Sequence, residues 1–318
     1  MFTRRAALGI VGPGALWASL ARATIVERGT SSRLAPLGAE AYAPPTTLKA
    51  VVDLWRRMTV PVEVNGTGPW QFVVDTGANQ SVISAELMRK LGLPPGKLAP
   101  LNGIAGVDIA PTTQASLKLG NIDQDERTFS VLPAAGIGGD GMLGLDHLDG
   151  KRLTLDFRRQ RVQIEQSGRT EFSFGNEYVL TPHRRDGQLV LVDVKVGGAP
   201  VKAFIDSGAE ATIGNLCLKA QAFSGAGGPA WRREGILSAT GQTVEAEVAQ
   251  LSALRIAGLE LFDWSVAFAD LHTFQLWDLV HEPAILLGVD LLSRFEQVSL
   301  DFGRDEIHFR LPADSFNG

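Results

Sequence analysis

Val73-Val74-Asp75-Thr76-Gly77-Ala78 decides how this chain is read, because Phe204-Ile205-Asp206-Ser207-Gly208-Ala209 repeats it 131 residues later. Each copy runs apolar residues into an Asp, a small hydroxyl residue, a Gly and an Ala. That order describes a buried strand ending in a tight turn, with a carboxylate at the turn. One such tripeptide carries little weight in 318 residues. A second copy in matched surroundings carries much more.

The surroundings do match. Val60-Pro61-Val62-Glu63-Val64 alternates, turns at Asn65-Gly66-Thr67-Gly68-Pro69 and returns as Trp70 to Val74, a hairpin that delivers Asp75. Leu189 to Val196, the turn Gly197-Gly198-Ala199-Pro200, and Val201 to Ile205 do the same for Asp206. Asn65-Gly66-Thr67 also fits a glycosylation acceptor, but Asn-Gly in a hairpin turn accounts for it better. Each half then offers a glycine-bearing loop between strands: Asn102-Gly103-Ile104-Ala105-Gly106, and Leu237-Ser238-Ala239-Thr240-Gly241. These are plain hairpin tips or flaps that close over a substrate. Further on, Gly141-Met142-Leu143-Gly144-Leu145-Asp146 matches Ile285-Leu286-Leu287-Gly288-Val289-Asp290, and Leu153-Thr154-Leu155-Asp156-Phe157 matches Val298-Ser299-Leu300-Asp301-Phe302. Five landmarks recur in one order, which chance does not produce.

At these residues the chain resembles the aspartic peptidases. Its Asp-Thr/Ser-Gly-Ala and Leu-Gly-x-Asp phrases are more similar to the retroviral type than to the pepsin type, and the likeness covers roughly Thr59 to Leu311. Retroviral-type enzymes pair two identical chains, whereas here both halves lie in one chain, as in pepsin. The resemblance implies an all-β, bilobal fold: two homologous barrel-like lobes, 59–168 and 169–318, with a cleft between them. Short strands with Gly and Pro turns, and no long amphipathic helix, point the same way.

The resemblance also implies a mechanism. Two Asp residues a few ångströms apart cannot both hold a charge, so Asp75 and Asp206 share one proton. The ionised member takes a proton from a water held between them while the other hydrogen-bonds the scissile carbonyl. Thr76 and Ser207 are expected to bind across the lobe interface. Gly77, Gly208, Ala78 and Ala209 stay small where backbones approach. Gly103 to Gly106 and Ala239 to Gly241 are the candidate flaps. No flap tyrosine of the pepsin kind is available, since the tyrosines are Tyr42 and Tyr178. The second half is about 13 residues longer between its Asp and its Leu-Gly, Asp206 to Gly288 against Asp75 to Gly144. The extra stretch holds Trp231, Trp264 and Trp277, as pocket lining or as packing.

Composition bounds the rest. Hydrophobic residues make up 45%, which suits a globular protein with a sizeable core, and the net charge of −5 argues against a nucleic-acid partner. Cys217 is the one cysteine, so no intramolecular disulfide or cysteine-based metal site exists. The five histidines show no ligand spacing, so no metal or other cofactor is expected. Gly136-x-Gly138-x-x-Gly141 matches a dinucleotide fingerprint but opens into the Leu-Gly strand rather than a helix, so it reads as a loop.

Arg4-Arg5, the apolar run Ala6 to Leu20 and Ala21-Arg22-Ala23 have the three parts of an export signal of twin-arginine form. Cleavage there leaves a periplasmic or secreted protein with no membrane contact; the alternative is a retained anchor. Residues 24–58 read as a linker or pro-segment and lead-in. The expected function is an aspartic endopeptidase acting on peptide or protein substrate as a monomer. A peptide-binding module on the same scaffold, or a structural β-protein whose Asp residues only cap turns, are the alternatives.

Overall fold

The structure is a computed structural model that describes residues 44–168, 176–185, 188–225 and 228–312. The export signal expected at 1–23, and residues 24–43 of the expected linker, lie outside them.

Two eight-stranded sheets repeat one another strand for strand. In the first lobe the order is Val51–Val52, Met58–Val64, Thr67–Val74, Gly141–Leu143, Val82–Ser84, Ile122–Leu132, Gly106–Leu119 and Leu98–Gly103. In the second it is His183–Arg185, Gln188–Val196, Ala199–Ile205, Ala284–Leu287, Ile213–Gly214, Leu259–Phe268, Thr243–Ile256 and Arg232–Leu237. A further pairing, Met58–Val64 with Gly106–Leu119 and Gln188–Val196 with Thr243–Ile256, curls each sheet toward a barrel. The fold is therefore bilobal and all-β.

Local chemistry explains the shared plan. Asn65 and Gly66 both have positive φ (47° and 69°), as do Gly197 and Gly198 (57° and 86°). Two consecutive left-handed residues make the turn whose twist suits a two-residue hairpin. The Asn65 side chain also accepts from the Ser116 N–H and hydroxyl, which ties the turn to a neighbouring strand. Val60, Val62 and Val64 alternate inward and are fully buried, as are Phe72 to Val74 and Phe204 to Ile205, the strands leading to each Asp.

The last hairpin of each half leaves its lobe. Lys151–Asp156 and Gln297–Asp301 pair with one another, Leu153 opposite Leu300, at the centre of a six-stranded sheet shared by the two halves. Arg152 donates through Nε and Nη2 to Asp301 at 3.1 and 2.7 Å, and Asp301 is fully buried. Thr46–Lys49, within the expected linker and lead-in, is a strand on the edge of this sheet, paired with Arg161–Gln166. Among the described residues no helix is long and apolar enough to cross a membrane.

Candidate active site

Each Asp sits where a buried strand stops. The Asp75 N–H donates to the Leu143 carbonyl and the Asp206 N–H to the Leu287 carbonyl, both at 3.0 Å. The Leu-Gly phrase thus runs parallel beside the Asp strand and fixes the first atom of each turn. The turn then folds back on its own carboxylate. Asp75 Oδ1 accepts the N–H groups of Gly77 and Ala78 at 2.8 and 3.1 Å, and Asp206 Oδ1 accepts those of Gly208 and Ala209 at 2.9 and 3.1 Å.

Thr76 and Ser207 lock the two turns together, as the sequence led us to expect. The Thr76 hydroxyl donates to the Ile205 carbonyl at 2.8 Å, and the Ser207 hydroxyl donates to the Val74 carbonyl at 2.7 Å. Both residues are buried. The glycines that follow have no room for a side chain. A Cβ on Gly77 would stand 2.5 Å from the Asp206 Cγ, and one on Gly208 would collide with the carboxyl of Asp75. Each Gly therefore faces the opposite carboxylate, which brings Asp75 and Asp206 into hydrogen-bonding contact.

Both carboxyls are held above their ordinary range. Burial raises Asp75 above its ordinary range, while the Gly77 N–H, the hydrogen bond with Asp206, the Arg57 guanidinium and the Ala78 N–H pull it back. Asp206 stands well above that range, because burial, the charge of Asp75 and the hydrogen bond with Asp75 all raise it. Two buried carboxyls in contact cannot both ionise, so the pair holds one proton between them.

Three further groups went unread in the sequence. Ser81 donates its hydroxyl to Asp146 at 2.8 Å and accepts the Gly144 N–H at 3.0 Å. Thr212 does the same toward Asp290 and the Gly288 N–H, at 2.8 and 3.3 Å. These bonds explain the Asp of each Leu-Gly-x-Asp phrase, and a hydroxyl residue six positions after Asp75 and after Asp206 was the signal that marks them. The third is Arg57, whose guanidinium lies between the lobes.

The candidate flaps bridge the lobes. Ile104 packs on the second lobe's cluster containing Leu271 and Phe274, and its carbonyl accepts the His272 N–H at 2.8 Å. Ala239 packs on the first lobe's cluster of Val82, Leu132, Ile137 and Met142. The tips also meet: a Cβ on Gly103 would lie 3.3 Å from Ser238 Oγ and from Thr240. Thr240 bonds to Ser238 within its own tip, and Gly241, with φ of 87°, closes that turn. Ala105 completes the first tip between the two flap strands, and Gly106 opens the second of them.

The tryptophans serve packing. Trp277 is buried with its ring edge-on to Phe204 at 4.1 Å, Trp231 stands against Phe223 and Phe268, and Arg294 lies over Trp264. The stretch read as a loop is partly regular: Gly136 lies in a short helical turn, Ala134–Ile137, Gly138 caps it, and Gly141 opens the strand Gly141–Leu143, because the chain turns here to enter the Leu-Gly strand.

Two lobes that each contribute an Asp-hydroxyl-Gly turn to one paired carboxyl site define a class of protein, the acid-protease fold. Residues 60–147 and 192–291 each match the aspartyl protease family, one stretch per lobe and together more than half of the chain. The chain belongs to that family. No curated protein matches it.

Proposed function

We propose that the chain is an aspartic endopeptidase that hydrolyses peptide bonds with a water activated between Asp75 and Asp206. The observation that carries this reading is the carboxyl pair itself, two buried Asp side chains brought together by facing Gly turns, both held above their ordinary range. The ionised member of the pair takes a proton from the water. The protonated member donates to the scissile carbonyl as it becomes an oxyanion, so that no covalent enzyme intermediate forms. Thr76 and Ser207 keep the two turns in register, and the flap tips hold a peptide in the cleft. Both carboxyls come from one chain, which supports action as a monomer. The export signal read at 1–23 puts its substrates outside the cytoplasm.

The test is cleavage of a peptide library by the full chain between pH 3 and 8, read by mass spectrometry, with Asp75→Asn and Asp206→Asn beside it. Cuts by the wild type that disappear in both variants, with the fold retained, are expected. Retained cleavage in either variant rejects the shared-proton mechanism.

A further inference from the structure

Arg57 is 7% exposed, an unusual place for a guanidinium, and its donors are spread over both lobes. Nε donates to Asp53 Oδ2 at 2.9 Å, with Nη2 of the same group 2.7 Å from that oxygen. Nη2 also donates to the Ile137 carbonyl at 2.7 Å, and Nη1 reaches across the interface to the Gly208 carbonyl at 3.3 Å. Asp53 is itself held, since its Oδ1 accepts the N–H groups of Trp55 and Arg57. The Trp55 ring lies against the guanidinium at 5.0 Å, and Gly138 leaves both of them room.

The Gly208 carbonyl belongs to the same peptide group as the Ala209 N–H, and that N–H donates to Asp206 Oδ1 at 3.1 Å. One amide thus accepts from Arg57 at one end and donates to Asp206 at the other. Bonds in such a chain polarise each other, so the Arg57 contact strengthens the donation to Asp206. The strand register gives the second lobe's residue at the corresponding position. Val52 pairs with Met58, and Arg184 with Leu189, which puts Gln188 where the first lobe has Arg57. Both residues stand 18 positions before their Asp.

We propose that Arg57 is a positioning residue for the carboxyl pair, acting on Asp206 through the Gly208–Ala209 amide and on Asp75 through its charge from the first lobe's side. The proposal rests on the peptidase reading of this site. It gives the two Asp turns different surroundings through one substitution between the duplicated halves. Three carboxyls are involved: Asp53 on the turn before Arg57, Asp75 at the end of Thr67–Val74, and Asp206 at the end of Ala199–Ile205. Asp53 neutralises most of the guanidinium's field. Removing either member of that ion pair therefore moves Asp75 in opposite directions.

The experiment compares pH profiles of kcat and KM for the full chain and for Arg57→Gln, Arg57→Lys and Asp53→Asn. In Arg57→Gln the acid limb moves to higher pH, because ionised Asp75 loses a cation. The alkaline limb also moves up, because ionised Asp206 loses part of its hydrogen bond. Its kcat falls by up to about 100-fold, with KM little changed. Arg57→Lys keeps the acid limb near its wild-type place but still loses kcat, because one ammonium does not reach both carbonyls. Asp53→Asn moves the acid limb to lower pH. Equal losses of activity in all three variants with both limbs unmoved overturn the proposal and leave Arg57 a structural latch. Should the wild type cleave nothing, the function reading fails separately. Carbon-13 NMR titration of labelled Asp in the same proteins then decides the positioning role: an Asp75 midpoint raised in Arg57→Gln and lowered in Asp53→Asn upholds it, and unmoved midpoints reject it.

Discussion

Thr76 and Ser207 each accept the other's backbone N–H on their side-chain oxygen, at 3.1 Å onto Ser207 and 3.0 Å onto Thr76. With the hydroxyls donating onward to carbonyls two residues before the other loop's hydroxyl residue, four hydrogen bonds cross the interface between buried partners. Thr76→Ala leaves the Ser207 N–H and the Ile205 carbonyl without these partners. The expected loss is about 1–3 kcal/mol, and Ser207→Ala loses a similar amount. The double variant loses less than the sum, since each single change already breaks the same lattice. Urea unfolding of the three variants measures the coupling, and strict additivity rejects it.

Asp206→Asn is expected to change stability in a pH-dependent way. A carboxyl whose pKa is higher in the folded chain binds its proton more tightly there. Its contribution to stability is complete below the unfolded value of about 3.9 and is lost as the pH climbs through the folded value. Asp206 is such a group. Relative to the wild type, Asp206→Asn therefore gains stability between pH 4 and pH 7.5. Glu177 and Glu306, whose pKa values are lowered, work in the opposite direction but are common to both proteins and cancel. Urea unfolding at the two pH values reads the difference, and an equal difference at both shows that Asp206 is not shifted.

Gly136→Ala tests the seat of the second flap. A Cβ there would collide with the Ala239 carbonyl, a backbone atom that cannot rotate away. The tip is expected to lift, with faster amide exchange across 237–243 and a KM several-fold higher, while the Asp turns stay in place. Unchanged exchange in that tip would remove the contact from the account.

Arg152→Ala removes the partner of fully buried Asp301 in the sheet shared by the halves. Stranding one charge of a buried pair costs about 3–5 kcal/mol, and Ser167 and the N–H groups of Gly303 and Arg304, which Asp301 also accepts, place the loss at the low end of that range. The denaturant midpoint reports it. A loss below about 1 kcal/mol would mean that those donors alone satisfy the carboxylate.

The parts of this site that could be read in the sequence are those set by local backbone demands. A Gly facing a carboxylate, a hydroxyl residue beside it and an Asn-Gly turn are each legible within a few residues, and duplication doubled the signal. Arg57 was not legible. Its distant partners are main-chain carbonyls, one of them 151 residues away, and a carbonyl leaves no mark in a sequence pattern. The hairpins at Leu153 and Leu300 were recognised as equivalent, but not as partners, since that depends on how the lobes face each other. Thr46–Lys49 read as linker because four residues following Pro44-Pro45 show no period. It is a strand because Arg161–Gln166 offers it an open edge, and tertiary context overrides so short a pattern.

The shared sheet has a consequence for how the protein behaves in dilute solution. Because Lys151–Asp156 and Gln297–Asp301 belong to one chain, the two Asp turns meet at an effective concentration set by the connecting segment, on the order of millimolar for short flexible links. Dilution does not take the carboxyl pair apart, as it would a pair assembled from two separate molecules. Covalent linkage also frees each half to change its sequence without imposing the change on the other. Arg57 in the first half, at the position that Gln188 holds in the second, is the trace of that freedom.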